Sequence, residues 1–180
     1  MTLLELRAAI VANIKAAFPT LKTCDGHAGR FDLTELKRIS TRAPAVYVAC
    51  LAIGSAEENG DISAEISWAA YVITRDEPTV KRDESALAIV HALIAHIPGN
   101  RWELDDAETR PVAIRAQNLY SASIDKQGIA MWAITWRQQM NLGGAVNLAE
   151  LNAFVTVHAD HSLAPGNDEP AAIDEVTLEQ

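Results

Sequence analysis

After Arg137 the chain contains no lysine and no arginine. That segment carries seven carboxylates: Glu150, Asp160, Asp168, Glu169, Asp174, Glu175 and Glu179. All 15 basic side chains therefore lie at or before Arg137, where they face 17 acids, and most of the net charge of −9 belongs to the end of the chain. Neither part has the basic stripe that phosphate neutralisation requires, so direct nucleic-acid readout is excluded. A terminal acidic segment of this kind behaves as a solvated or docking arm. Cysteine is nearly absent too. Cys24 and Cys50 show no spacing pattern, which excludes a disulfide framework and fits a reducing compartment. No apolar run approaches the roughly 20 residues of a membrane span, and the N-terminal MTLLELRAAIVANIKAAF is too interrupted by charge for an export signal.

Catalytic signatures are also missing. There is no GxSxG elbow, no Walker loop and no GxGxxG, and Gly26 and Gly29 around His27 match no phosphate-cradling spacing. Cys24-Asp-Gly-His27 has no second Cys/His pair to complete a zinc site. His91 and His96 are five residues apart, so they do not share a helix face as a zinc pair would. Glu103-Leu-Asp-Asp106 would serve acid–base chemistry only if its environment split the pKa values, and in a polar loop solvation is the default.

What is present is periodicity. Residues 2–18 read as a helix: Thr2 caps it, Glu5 completes a capping box, Leu6, Ile10 and Ile14 form one face, and Pro19 ends it. A short strand at 22–25 and a short helix at 33–39 capped by Asp32 follow. Residues 45–53 (AVYVACLAI) are apolar on both faces, as a covered central strand requires, and a loop is expected at 54–60. Residues 62–75 alternate, with Ile62, Ala64, Ile66, Trp68, Ala70 and Val72 on one side. A second long helix spans 79–97, its inner face expected at Leu87, Val90, Ile94 and Ile97 with Leu93 beside them. After a polar loop at 100–110, strands at 111–120 and 129–140 form a hairpin around a turn in which Gly128 takes positive φ.

The pattern predicts an α+β fold: a single domain with a largely antiparallel mixed sheet flanked by helices, closing at Met140, and an extended acidic arm over residues 141–180. Truncation after Met140 should then leave the body folded.

Two clusters remain. In FVTVHADHSLAP (154–165), His158, Asp160 and His161 are the set a metal-assisted hydrolase would use. Phe154, Val155 and Val157 favour an extended chain, where His158 and Asp160 fall on one side and His161 on the other, against a converging site. No catalytic residue, metal or cofactor is therefore expected. Trp102, beside Arg101 in a polar loop, either stands exposed at an interface or tucks onto the body. The candidate interface residues are Arg101, Trp102, Phe154, Val155, Val157 and His158.

Several stretches resemble the tail terminator (tail-completion) proteins of Mu-like phages and prophages. They are FDLTELKRISTRAPAVYVACLAIG (31–54), residues 111–137 with their strand-turn-strand pattern ending GIAMWAITWR, FVTVHADHS, and the closing DEVTLEQ. The resemblance spans most of the chain and carries no active-site residues. It implies a non-enzymatic virion protein, assembled in the bacterial host cytoplasm and located in the virion tail. Such a protein caps the tail tube as a ring, a hexamer in related cases, and ends tube polymerisation. Its partners would be itself, the tube and sheath proteins and the head-completion protein, with no membrane.

Overall fold

A computed structural model of the chain describes residues 2–29, 31–59, 61–105, 107, 109–143, 156–161 and 172–177. The chain divides into two compact units, Met1–Gly144 and Ala145–Gln180.

The first unit is an α+β domain with a mixed five-stranded sheet and flanking helices. Helix α1 (Leu3–Ala17) starts at the expected capping box, with Glu5 N–H donating to Thr2 Oγ1 at 3.2 Å and Thr2 N–H to Glu5 Oε2 at 2.7 Å. Its Leu6, Ile10 and Ile14 are buried. Helix α2 (Leu33–Ser40) is capped by Asp32, which accepts from Glu35 N–H at 2.7 Å, and buries Leu36 and Ile39. Helix α3 spans Arg82–His96, and a 3-10 turn, Ile97–Gly99, follows it. A fourth, one-turn helix, α4 (Ala122–Asp125), occupies the expected turn, and Gly128 after it has φ 69.

Strand β1 (Thr23–Gly26) runs parallel to β2 (Ala45–Asn59). Strands β3 (Asp61–Arg75), β4 (Val112–Asn118) and β5 (Ile129–Gly143) complete an order of β1-β2-β3-β5-β4, with every junction after the first antiparallel. On one face, Val46, Val48, Ile66, Trp68, Ala70, Val72, Ile134 and Trp136 pack with α1 and α3. On the other, Ala45, Tyr47, Ala49, Ala69, Tyr71, Ile73, Met131 and Ala133 pack with Leu36 and Ile39 of α2, and Ile124 of α4 joins from the edge. This second cluster covers only the half of the sheet near Ile73 and Met131.

Three expectations need correction. Strand β2 does not end at Gly54. It continues to Asn59, with irregularities between Cys50 and Ala52 and between Ile53 and Ala56. Glycine permits that close passage, because a Cβ at residue 54 would stand 3.1 Å from Glu65 O. Helix α3 begins at Arg82 because reciprocal backbone bonds between Glu77 and Val80 hold the preceding residues in a turn. Its buried face is Ala86, Val90, Leu93 and Ile97, leaving Leu87 53% and Ile94 40% exposed. Two stripes one residue apart share Val90 and Ile97, and the small Ala86 lets the helix lie closer to the sheet. Finally, β5 does not stop at Met140, which is fully buried; its pairing continues through Ile62↔Gly143.

The loop before β4 is part of the core. Trp102 is 2% exposed, so the exposed reading of this residue is replaced by the buried one. Its ring lies 5.7 Å from that of Trp136, and its Nε1–H donates to Gln138 Oε1 at 2.7 Å. Trp102 and Glu103 both sit at φ 59, a conformation costing about 1–2 kcal/mol per non-glycine residue. Burying an indole of some 150–250 Å² returns roughly 4–6 kcal/mol, so the core contact decides the loop's path. The rings of Trp68 and Trp136 are also buried, but their N–H groups have no partner among the described residues.

In the second unit, β6 (Thr156–His161) and β7 (Ala172–Thr177) form an antiparallel two-stranded ribbon running from Thr156↔Thr177 to His161↔Ala172. The expected arm is thus, in its described part, a ribbon paired with itself.

Two outcomes follow from this packing. Truncation after Gly144 is expected to change the body's stability by less than about 1 kcal/mol in urea denaturation, whereas truncation after Met140 lowers it measurably by removing the end of β5. Gln138→Leu strips the Trp102 N–H of its acceptor and is expected to lower the unfolding free energy by about 1–3 kcal/mol in the same assay.

Candidate interaction surface

The end of β1 determines how much of β2 is covered. The β1–β2 ladder stops at Gly26↔Val48, and His27 N–H adds one more bond to Val48 O at 2.8 Å. The chain then turns away. Gly29, at φ 84, comes so close to β2 that an added Cβ would stand 3.2 Å from Ala49 Cβ and 3.3 Å from Leu51 Cδ2. Its N–H donates to His27 Nδ1 at 3.0 Å and its carbonyl accepts from Tyr71 Oη at 3.5 Å. With Nδ1 accepting, His27 Nε2 carries the proton and faces Glu35 Oε1 at 3.2 Å, while the ring stacks on Phe31 at 4.1 Å. Arg38, with His27 adding to it, lowers the Glu35 carboxyl to about 2. This clamp leaves residues 49–59 of β2 with no strand on their outer side among the described residues. Leu51 and Ile53 there are 46% and 47% exposed.

The opposite margin is open as well among the described residues. Strand β4 is last in the order, and Val112 on it is 49% exposed. Ala113, at φ 53, lies in a register irregularity between Val112 and Arg115. Arg115 pairs in register with Thr135 of β5. Between the margins, the uncovered half of the sheet's second face forms a shallow groove of about 450 Å³, lined among others by Leu51, Ser67, Thr135, Arg115 and Arg137. Arg137 donates to Glu65 across this face at 2.9 Å.

The remaining polar clusters hold the fold together. Arg82 bridges Asp76 at 2.8 Å and Asp125 at 2.6 Å, fastening α3 to α4 beside a cleft of about 560 Å³. Cys24, in β1, faces the core with Sγ 3.6 Å from Val11 O, and burial pushes its thiol up to about 11, which keeps it protonated. His91 is exposed on α3. His96 is partly buried, with Nε2 2.8 Å from Asn13 Oδ1, which also accepts from Asn100 Nδ2 at 2.7 Å; Phe18 meets the imidazole edge-on.

Of the candidate interface residues, Trp102 is core and Arg101 donates from its guanidinium to Ala107 O, which closes the same loop. Phe154 and Val155 lie outside the described residues. Val157, His158, Asp160 and His161 lie in β6, where only the backbone pairing is described, and His158 and Asp160 alternate with His161 along the strand. Glu103 and Asp105 are exposed; Asp106 lies outside the described residues. Among the described residues, no group of three or more His, Cys, Asp or Glu is placed to hold a metal ion, and no helix is long and apolar enough to cross a membrane. The open margins escaped the sequence reading because edge or interior position depends on neighbours distant in sequence. The charge contrast between Glu57-Glu58 and Arg110/Arg115 was the signal available.

No protein-family model and no curated protein matches the chain. A solved structure, the virion of a native gene transfer agent (GTA) particle, aligns with a TM-score of 0.36 and 16% identity over 72% of this chain and 85% of that one.

Burial lowers the pKa of His96 below the ordinary 6.5. The unfolded chain therefore binds this proton more readily than the folded one. Its neutral form is accommodated above pH 6.5, and stability is lost as pH falls through that value. Denaturation at pH 7 and pH 5 is expected to show a smaller acid-side loss for His96→Gln than for the unaltered protein.

Proposed function

We propose that this protein is a non-enzymatic structural component of a phage-type virion. It caps the tail tube as a ring-shaped homo-oligomer, a hexamer on the tail, ends tube polymerisation and offers the surface to which the head-completion protein joins. The observation that carries this reading is the pair of sheet margins that are open among the described residues on opposite sides of one body, residues 49–59 of β2 and the whole of β4. Two different surfaces facing opposite ways suit a head-to-tail contact, and such contacts close into rings when the rotation between neighbours permits. The role of that ring rests on the sequence resemblance to tail terminator proteins. On this reading the partners are other copies of the chain, the tube and sheath proteins and the head-completion protein. The site of action is the virion tail, reached by assembly in the host cytoplasm.

Electron microscopy of the purified protein mixed with tail tubes tests the proposal. Ring density at one tube end, with uniform tube length only when the protein is present, is the expected result. Tubes that stop at a uniform length without it, and whose ends it never occupies, would remove the reading.

A further inference from the structure

We infer that the contact between copies is a strand pairing in which residues 49–59 of β2 in one subunit lie antiparallel along β4 of the next. The inference rests on the ring reading and names the surfaces that make it. Occupant and edge are matched in three ways.

The first is hydrogen bonding. A strand with an unpaired side presents a row of backbone donors and acceptors, which another strand satisfies. The open side of β2 lies beyond the last β1 pair, Gly26↔Val48, and the open side of β4 is the far end of the order β1-β2-β3-β5-β4. The second is direction. Each junction from β2 to β4 is antiparallel, so β2 and β4 themselves run in opposite senses. Rotating one subunit about a ring axis aligned with the strands preserves those senses, and the new junction is antiparallel too. The third is charge. Residues 49–59 include Glu57 and Glu58 and no base, whereas residues 110–118 include Arg110 and Arg115 and no acid. Exposed Leu51 and Ile53 on one margin and Val112 on the other supply apolar surface for the same contact. The register irregularities in β2 and at Ala113 bend both margins, which suits a curved, closing assembly better than a flat stack.

Within one subunit these margins cannot touch, because three strand spacings of about 4.8 Å, roughly 14 Å in all, separate β2 from β4. This separation allows a clean test on the full chain. Arg115→Lys supplies an amine for zero-length carbodiimide coupling to a carboxylate. Chains labelled with 14N and 15N are mixed at a concentration on the order of 1 mM, within reach of a weak contact. Coupled peptides joining residue 115 to Glu57 or Glu58 with mixed isotopes are the expected result. Glu57→Arg with Glu58→Arg in the same background should abolish them. Charge reversal by Arg115→Glu should weaken self-association about tenfold at low salt, and mixing that variant with the Glu57→Arg/Glu58→Arg variant should restore it. If no such peptide forms, or only same-isotope pairs do, the inference is overturned. Closed rings counted by native mass spectrometry in that case would leave the ring reading standing on some other contact. Mixed-isotope peptides in open chains would instead uphold the strand pairing and remove the ring.

Discussion

The long antiparallel ladder between β3 and β5 is the constraint on which the rest of the body depends. It runs from Arg75↔Ile129 to Ile62↔Gly143, and near its middle Trp68 faces Trp136 in register. A slip of one residue by β3 would turn Ile66, Trp68, Ala70 and Val72 from the face under α1 and α3 to the other face, and a slip by β5 instead would do the same to Ile134 and Trp136. Two large indoles side by side leave little room for a second register. They also recruit Trp102, and with it the whole loop that leads into β4. The polar Gln138 is tolerated at full burial because it joins the two parts, accepting from Trp102 and donating to Thr109 O at 2.8 Å.

The ladder's length also sets what is left uncovered. Strands β2, β3 and β5 are each 15 residues long, but β1 has 4 and β4 has 7, and α2 and α4 are short. The helices that fill one face are not matched on the other, so half of the second face and two margins stay open among the described residues. The candidate surface is thus the remainder of a sheet longer than its described covering elements. The clamp of His27, Phe31, Glu35 and Arg38 sharpens this boundary by turning the chain away from β2 at Gly29.

Local chemistry made much of this readable in advance. Thr2 with Glu5 and Asp32 with Glu35 cap helices wherever they stand, because a cap involves only neighbours in sequence. The alternation from Ala64 to Val72 identified the core face of β3 for the same reason, while Ile62 at its start is 36% exposed. Gly54 misled the reading of β2, since glycine signals a turn as readily as a close passage between strands. Leu87 and Ile94 misled the reading of α3, since periodicity locates an apolar stripe only to within a residue and the sheet selects among the options. Trp102 was undecided because an aromatic residue among acids is polar or apolar in context according to what folds over it. The open margins, where the candidate surface lies, left only the charge contrast of Glu57-Glu58 with Arg110 and Arg115 in the sequence, and that contrast does not say which strand is an edge.

Sequence alone determined the α+β class, the order of the three longer helices and five strands of the body, the caps of α1 and α2, and the separation of an acidic segment from a nearly neutral body, because each follows from contacts or charges close along the chain. Only the tertiary structure decided that Trp102 is core, that Gly54 is inside a strand, that β1 stops at Gly26 opposite Val48, and that β2 and β4 present open sides at opposite margins of the sheet among the described residues. Those outcomes depend on pairing between segments tens of residues apart, where hydrogen-bond partners and packing volume, not local preference, select one arrangement.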